Sequence, residues 1–480
     1  MATVKSVKRD GVYKDLMEFG WFRKIAKWRG LQFTLMAIML AFFLVILYAG
    51  LFGTPIGGAN VGSTFTWLLW WALIPVTMLI GAKIWCLMCP WIAPAEWLQR
   101  MSLWWKGKRT LSLNLKVPKF MRNFWMMLVL FLALHWADAN FHLAARPEST
   151  LYLALTLFTL AIMVSLVFEK RSFCRYFCPV GAIISPYALV APVEIRNRDP
   201  EVCHNCKTRD CVNGNEKGYG CPAMTHPYAT DRNTYCLMCT ECIKTCPNDN
   251  IAVNIRKPFH DIFKEGMGFL KTRDVSYSLS FIVIFLLGIV PFHNLEMTPF
   301  YVDFEMSVAM GLGVPEMAVR TAAMLLVGLI PIGIFWLMLL LSRKLSGASQ
   351  YSMKDRFVWF ALPFIPVAIS LHLGHNYFHL LEEGSVIIPD LSDPFGYGWN
   401  LFGTAGAKVT ILPPDVISLL QFFTIGFGIL ASAYLIYRLQ KNMFADGKQA
   451  IKSMVPMFVL LAGLASFYAW VLTIPMSTRF

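Results

Sequence analysis

The apolar residues of the chain fall in long, nearly unbroken blocks instead of short periodic runs. A helix rises about 1.5 Å per residue, so about 20 apolar residues cross the roughly 30 Å of a bilayer's hydrocarbon. Nine blocks reach that length: 31–52, 65–89, 122–142, 150–169, 276–297, 317–341, 357–380, 415–439 and 454–475. The pattern predicts an all-α polytopic membrane protein with about nine transmembrane helices. The one long polar stretch, 170–275, predicts a small α+β ferredoxin-like insert. The expected organisation is a basic segment at 1–30, four spans in 31–169, the insert, and five spans in 276–480. Pro75, Pro331, Pro363 and Pro366 lie inside spans, where the carbonyls they free must be buried in protein or line a cavity. Trp67, Trp70 and Trp71 near one end of the second block, with Trp85 and Trp91 at the other, suit aromatic belts.

Composition agrees: of 480 residues 56% are hydrophobic and only 15% charged, with mean hydropathy +0.53. A soluble domain carries about 25% charged residues. The net charge of +14 raises nucleic acid as a partner, but the positions of the charges point to the bilayer and exclude it. Lys and Arg number eight in 1–30, six in 90–121, and four each in 342–356 and 438–453. The alternate connections hold only Arg146, Lys408 and Arg479. The positive-inside bias therefore predicts a cytoplasmic amino terminus and insert, an external carboxyl terminus, and insertion in a bacterial or archaeal cytoplasmic membrane. The first thirty residues show no apolar core or cleavage site, so no cleavable signal is expected.

Ten of the twelve cysteines lie in the insert, and Cys86 and Cys89 end the second block on the same side. A reducing compartment favours metal ligation over disulfides. The run Cys236-x-x-Cys239-x-x-Cys242-x-x-x-Cys246-Pro247 has the spacing in which three thiolates hold one cubane and the fourth serves a neighbouring cluster. A structural zinc site would use four ligands in two pairs, and three-plus-one wastes a ligand unless a second set exists. Cys203, Cys206 and Cys211, followed by Cys221-Pro222, form that set. Crossing gives Cys203, Cys206, Cys211 and Cys246 for one 4Fe-4S cluster, and Cys221, Cys236, Cys239 and Cys242 for the other. The glycine-containing stretch 212–220 reads as a loop absorbing extra length.

Two smaller motifs, Cys86-x-x-Cys89-Pro90 and Cys174-x-x-x-Cys178-Pro179, each follow a span. They can converge into a further four-thiolate metal centre, with Lys83, Arg171 and Arg175 favouring the thiolates. Structural turns packing cysteine as a small apolar residue are the alternative.

WCLMCP at 85–90, FCRYFCPVGA at 173–182 and the insert at 203–247 resemble the membrane-bound polyferredoxins: the NapH-type quinol dehydrogenase subunits and the carboxyl-terminal, cytoplasmic half of NosR-type proteins. The resemblance covers about residues 30–260. It implies membrane electron transport linked to the quinone pool and a cytoplasmic or membrane-bound redox protein. No NosR-type flavin-binding domain is visible, and the five later spans exceed a NapH-like protein.

Six histidines gather on the outer side: His135 and His142, His293, and His372, His375 and His379, with Asp138 between the first two. Intramembrane ionisable groups are expensive and usually functional. A pair from different helices could ligate a b-type haem. Alternatively, a histidine with Asp138 or Glu382 could take protons from a quinol, or each could simply hydrogen-bond to interfacial water. The outer loop 381–414 either docks an extracytoplasmic c-type cytochrome or lies as a lid over the helices. A metal-reducing maturation factor using the Cys86/Cys89 and Cys174/Cys178 pairs is the rival reading. A transporter with proline-broken helices is a weaker one, because no inverted repeat is visible.

Overall fold

The computed structural model of the protein describes residues 11–100, 112–230, 232–264, 273–348, 350–444 and 446–478. Of the charges used for orientation, Lys5, Lys8, Arg9, Lys106, Lys108, Arg109 and Arg479 lie outside the described residues. Eight described helices are long and apolar enough to cross a membrane: Leu31–Phe52, Val61–Gly81, Pro147–Val167, Val275–Glu296, Glu316–Ser346, Met353–Ser392, Pro414–Met443 and Gly447–Val471. Trp125–Phe141 is a ninth apolar helix of 17 residues, about 25 Å long. The molecule is an all-α polytopic membrane protein with one small sheet, as the block pattern predicts.

Three stretches are wound as π-helix: Thr64–Trp71 and Phe378–Glu382 within these helices, and Phe173–Phe177 beyond the end of Pro147–Val167. Such wide turns leave a carbonyl unpaired and are frequent at functional sites. They hold Trp67 and Trp71, His379, and Cys174 respectively.

The chain forms two compact units. The first, Met1–Leu44, Val76–Met127 and Ala154–Glu265, contains all twelve cysteines. Its sheet has the order β1-β3-β2, from β1 (Val12–Asp15), β2 (Val193–Asn197) and β3 (Ile251–Arg256). Both neighbours of β3 are antiparallel, with Val193 opposite Ile255 and Asn197 opposite Ile251, and Asp15 opposite Asn254. The basic amino-terminal segment thus supplies an edge strand to the insert. Met17 follows it into a core with Ile195, Ile243, Ile251 and Val253. Arg198 Nε donates to Asp15 Oδ2 at 2.9 Å and ties β1 to the residues after β2.

The second unit, Val45–Pro75, Leu128–Leu153 and Gly266–Phe480, is a helix bundle. Its helix Met353–Ser392 is buried along its spanning window, so this is the central helix. Small residues let neighbours approach it closely: a Cβ on Gly428 would stand 2.0 Å from Ser370 Oγ. That helix runs to Ser392, consuming the first part of the expected outer loop. Beyond it the backbone closes over the 53–61 turn, where Thr54 N donates to Phe395 O at 2.8 Å and Val61 N to Pro394 O at 3.0 Å.

Candidate functional site

All twelve cysteines are free of disulfides. Cys221, Cys236, Cys239 and Cys242 line one small cavity with Ile195, Leu237 and Pro227. Burial first, then its neighbours Cys221, Cys239 and Cys236, push the Cys242 thiol well above its ordinary range. The other crossed set also meets. Asn250 donates its backbone N–H to Cys246 Sγ and its side-chain amide to Cys203 Sγ, each at 3.3 Å. Cys211 is pushed up to about 12, by burial and then by Cys246, Cys203 and Cys206.

Cys86 and Cys89 follow a break in the chain at Ala82, where φ is 51° and the helix restarts at Ile84–Met88. Cys174 lies in the π-wound Phe173–Phe177, and Cys178 closes it. The two pairs come together. Burial and then Cys174 and Cys86 raise Cys89 to about 12. Burial followed by Cys174, Cys89 and Cys86 raises Cys178.

Two buried basic side chains stand beside these four. Arg171, in left-handed backbone at φ 51°, donates from Nη1 to Cys86 O at 3.2 Å and to Cys174 Sγ at 3.6 Å. It also pairs with Glu96, which is buried with it. Burial alone would raise the Glu96 carboxyl, but Arg171 and Arg100 overcome it and hold it below its usual range. Lys83 is 1% exposed and donates to Ser185 Oγ at 2.8 Å. Burial lowers its pKa, against the opposing pull of Cys86, Cys178, Cys174 and Cys236. Among the described residues, no three His, Cys, Asp or Glu side chains close round one point as the shell of a single ion.

In the second unit His135, His293, His372, His375 and His379 line one tight chamber of about 40 Å³ with Asp138, Trp67, Trp71 and Phe131. Four of the five histidines form two hydrogen-bonded chains. His293 Nδ1 meets Glu296 Oε1 at 2.6 Å, and its Nε2 meets His135 Nδ1 at 2.6 Å. His379 Nδ1 meets Glu383 Oε2 at 2.6 Å, and its Nε2 meets His375 Nε2 at 3.2 Å. His375 Nδ1 is in turn bonded to Asn294.

His142 stands apart. It follows the end of Trp125–Phe141 and lines a separate vestibule of about 480 Å³ with Glu296, Tyr301, Met306 and Arg320. Asp138 borders both cavities. Sequence reasoning named Glu382 as a partner carboxylate; Glu383, one helical turn after His379, is the residue that bonds. Glu296 and Asn294 it missed, although Glu296 follows His293 by three residues, a same-face helical spacing.

The 4Fe-4S binding domain family matches residues 63–112 and 150–190, which carry the Cys86/Cys89 and Cys174/Cys178 motifs. Fold and match together fit a membrane polyferredoxin-like protein, multi-pass and with a match to an iron–sulfur binding domain. YccM of Escherichia coli (strain K12), named provisionally as an electron transport protein, is 27% identical over 100 residues. That alignment covers 20% of this chain and about a quarter, 26%, of the relative. No solved structure matches the chain.

Proposed function

We propose that the chain is a membrane electron carrier holding three 4Fe-4S clusters, one per cysteine quartet, and relaying single electrons between a cytoplasmic redox protein and the quinone pool. One observation carries the reading: the quartets are neighbours in series. Cys221 N donates to Cys211 O at 2.9 Å, and Cys211 lies within electrostatic reach of Cys221 and Cys242. Cys236 in turn acts on Cys86. The donor chemistry fits. Each quartet supplies four thiols, the ligand number a cubane takes, and a cluster of this kind exchanges one electron. Arg171 places a buried positive charge, and Lys83 a buried amine whose protonated form negative charge there would favour, where the membrane-proximal quartet would concentrate negative charge. Ile195, Leu237 and Pro227 keep water from the middle quartet.

The histidines support proton handling over a b-haem. Both ring nitrogens of His293, His375 and His379 are already hydrogen-bonded to a carboxylate, an amide or another histidine. A chamber of about 40 Å³ holds a few waters, since one water needs roughly 10–15 Å³ by this measure, and a porphyrin is far larger. The Lys/Arg bias supports placing the cysteine-bearing unit on the cytoplasmic side.

EPR-monitored redox titration of anaerobically purified protein tests the relay. The expected result is three one-electron centres that bleach on reduction and broaden one another's signals. Zinc in the quartets, or copper reduction dependent on Cys86, Cys89, Cys174 and Cys178 without cluster signals, would transfer the protein to the maturation-factor reading.

A further inference from the structure

The vestibule of the second unit is a built cavity with a proton relay opening into its wall. Its volume of about 480 Å³ lies in the range of small-molecule sites, about 300–1,000 Å³. One wall is apolar and aromatic, from Met297, Tyr301, Val302 and Met306. Helix Pro299–Leu312 provides three of these, and its Phe300, Phe304 and Met310 are exposed large apolar side chains. An apolar helix face of this kind beside spanning helices is one that lipid can cover, and it suits a lipid-soluble ligand.

The lining also carries ionisable groups. Glu296 borders the vestibule while bonded to His293, and His293 is bonded to His135 inside the chamber. Asp138 borders vestibule and chamber alike, accepting from Ala144 N at 3.1 Å on one oxygen. Arg320 is braced by Glu305, with its Nε donating to Glu305 Oε2 at 3.1 Å.

We propose that the vestibule binds the ring head of a lipid-soluble quinone and that Glu296 and Asp138 exchange its two protons. In the oxidising direction both hydroquinone O–H bonds break. One proton goes to the Glu296 carboxylate and on through His293 to His135; the other goes to Asp138. The two electrons leave singly to a one-electron acceptor, a soluble dye in the assay below. Quinone is the product, and the reverse reaction uses the same groups. Histidine suits the relay because it takes a proton on one ring nitrogen and releases one from the other. Of the four carboxylates that line the vestibule, Glu305 is braced by Arg320, whereas Glu296 and Asp138 connect it to the histidines, Glu296 by its bond to His293 and Asp138 by bordering both cavities. The proposal rests on the quinone-linked reading above and fixes where on the chain that chemistry happens.

The test uses full-length protein in nanodiscs, with decylubiquinone for binding and decylubiquinol plus a one-electron dye for turnover. Met306→Trp fills the vestibule and is expected to weaken decylubiquinone binding at least tenfold; Val302→Phe is the substitute if it does not fold. Leu326→Trp, on an exposed face elsewhere, is expected to bind like wild type. Glu296→Gln is expected to bind within threefold of wild type, to oxidise decylubiquinol at least tenfold more slowly, and to recover with added formate. Normal binding by both Met306→Trp and Val302→Phe overturns the site while leaving the quinone link intact. A full rate in Glu296→Gln overturns the relay. If wild type neither binds decylubiquinone nor oxidises decylubiquinol, the quinone reading itself has failed.

Discussion

Glu96 and Arg171 illustrate how much one residue can decide here. The two are oppositely charged, each at most 2% exposed, and Arg171 also reaches the sulfur of Cys174. Removing one partner of a buried pair leaves an uncompensated charge and costs about 3–5 kcal/mol, whereas removing both is often near neutral. Arg171→Met is therefore expected to lower unfolding stability by about that amount, and Arg171→Met with Glu96→Gln to recover most of it. A double variant no more stable than the single would contradict this account of the pair. Lys83 is the matching electrostatic case. It is a buried amine within reach of both the Cys86 group and Cys236, whose negative charge favours its protonated form against burial. In Lys83→Met the reduced, more negative state of the neighbouring centres loses a stabilising charge, so their midpoint potentials fall. Unchanged potentials in an EPR titration would remove Lys83 from that role.

At the scale of elements, the amino-terminal strand is the piece most open to test. β1 covers an edge of β3, and Met17 behind it is wholly buried in the insert's core. Truncating such a side chain typically costs 2–5 kcal/mol. Met17→Ala is expected to make the insert sensitive to protease and to hasten iron loss from its cysteines. A variant as resistant as wild type would show that β1 is dispensable. This strand was invisible in the sequence, because VYKD is four residues long and sits among basic residues that read as a solvated segment. The spans were legible for the opposite reason: a block of twenty apolar residues has few alternatives. The π-wound turns were not, since an all-apolar helix shows no periodic face whose slip would betray an extra residue. Cysteine spacing made the crossed quartets legible as an expectation, whereas the histidine chains needed coordinates. Glu382 and Glu383 follow His379 by three and four residues, both same-face spacings, and only the coordinates show that Glu383 is the one that bonds.

For the whole molecule, the expected direction of the chain follows from where Lys and Arg collect. With the amino terminus inside and an odd number of spans, alkaline phosphatase fused after residue 480 is expected to be active and the same reporter fused after residue 256 inactive. The opposite pattern would put the cysteines in an oxidising compartment, where disulfides displace thiolate ligation. The measurement that tests the central claim most directly is a count of iron and acid-labile sulfide per chain in anaerobically prepared protein, wild type beside Cys89→Ser/Cys178→Ser. Three cubanes predict about 12 irons in the first and about 8 in the second, with matching sulfide. Equal counts in both proteins, or zinc in place of iron, would contradict it.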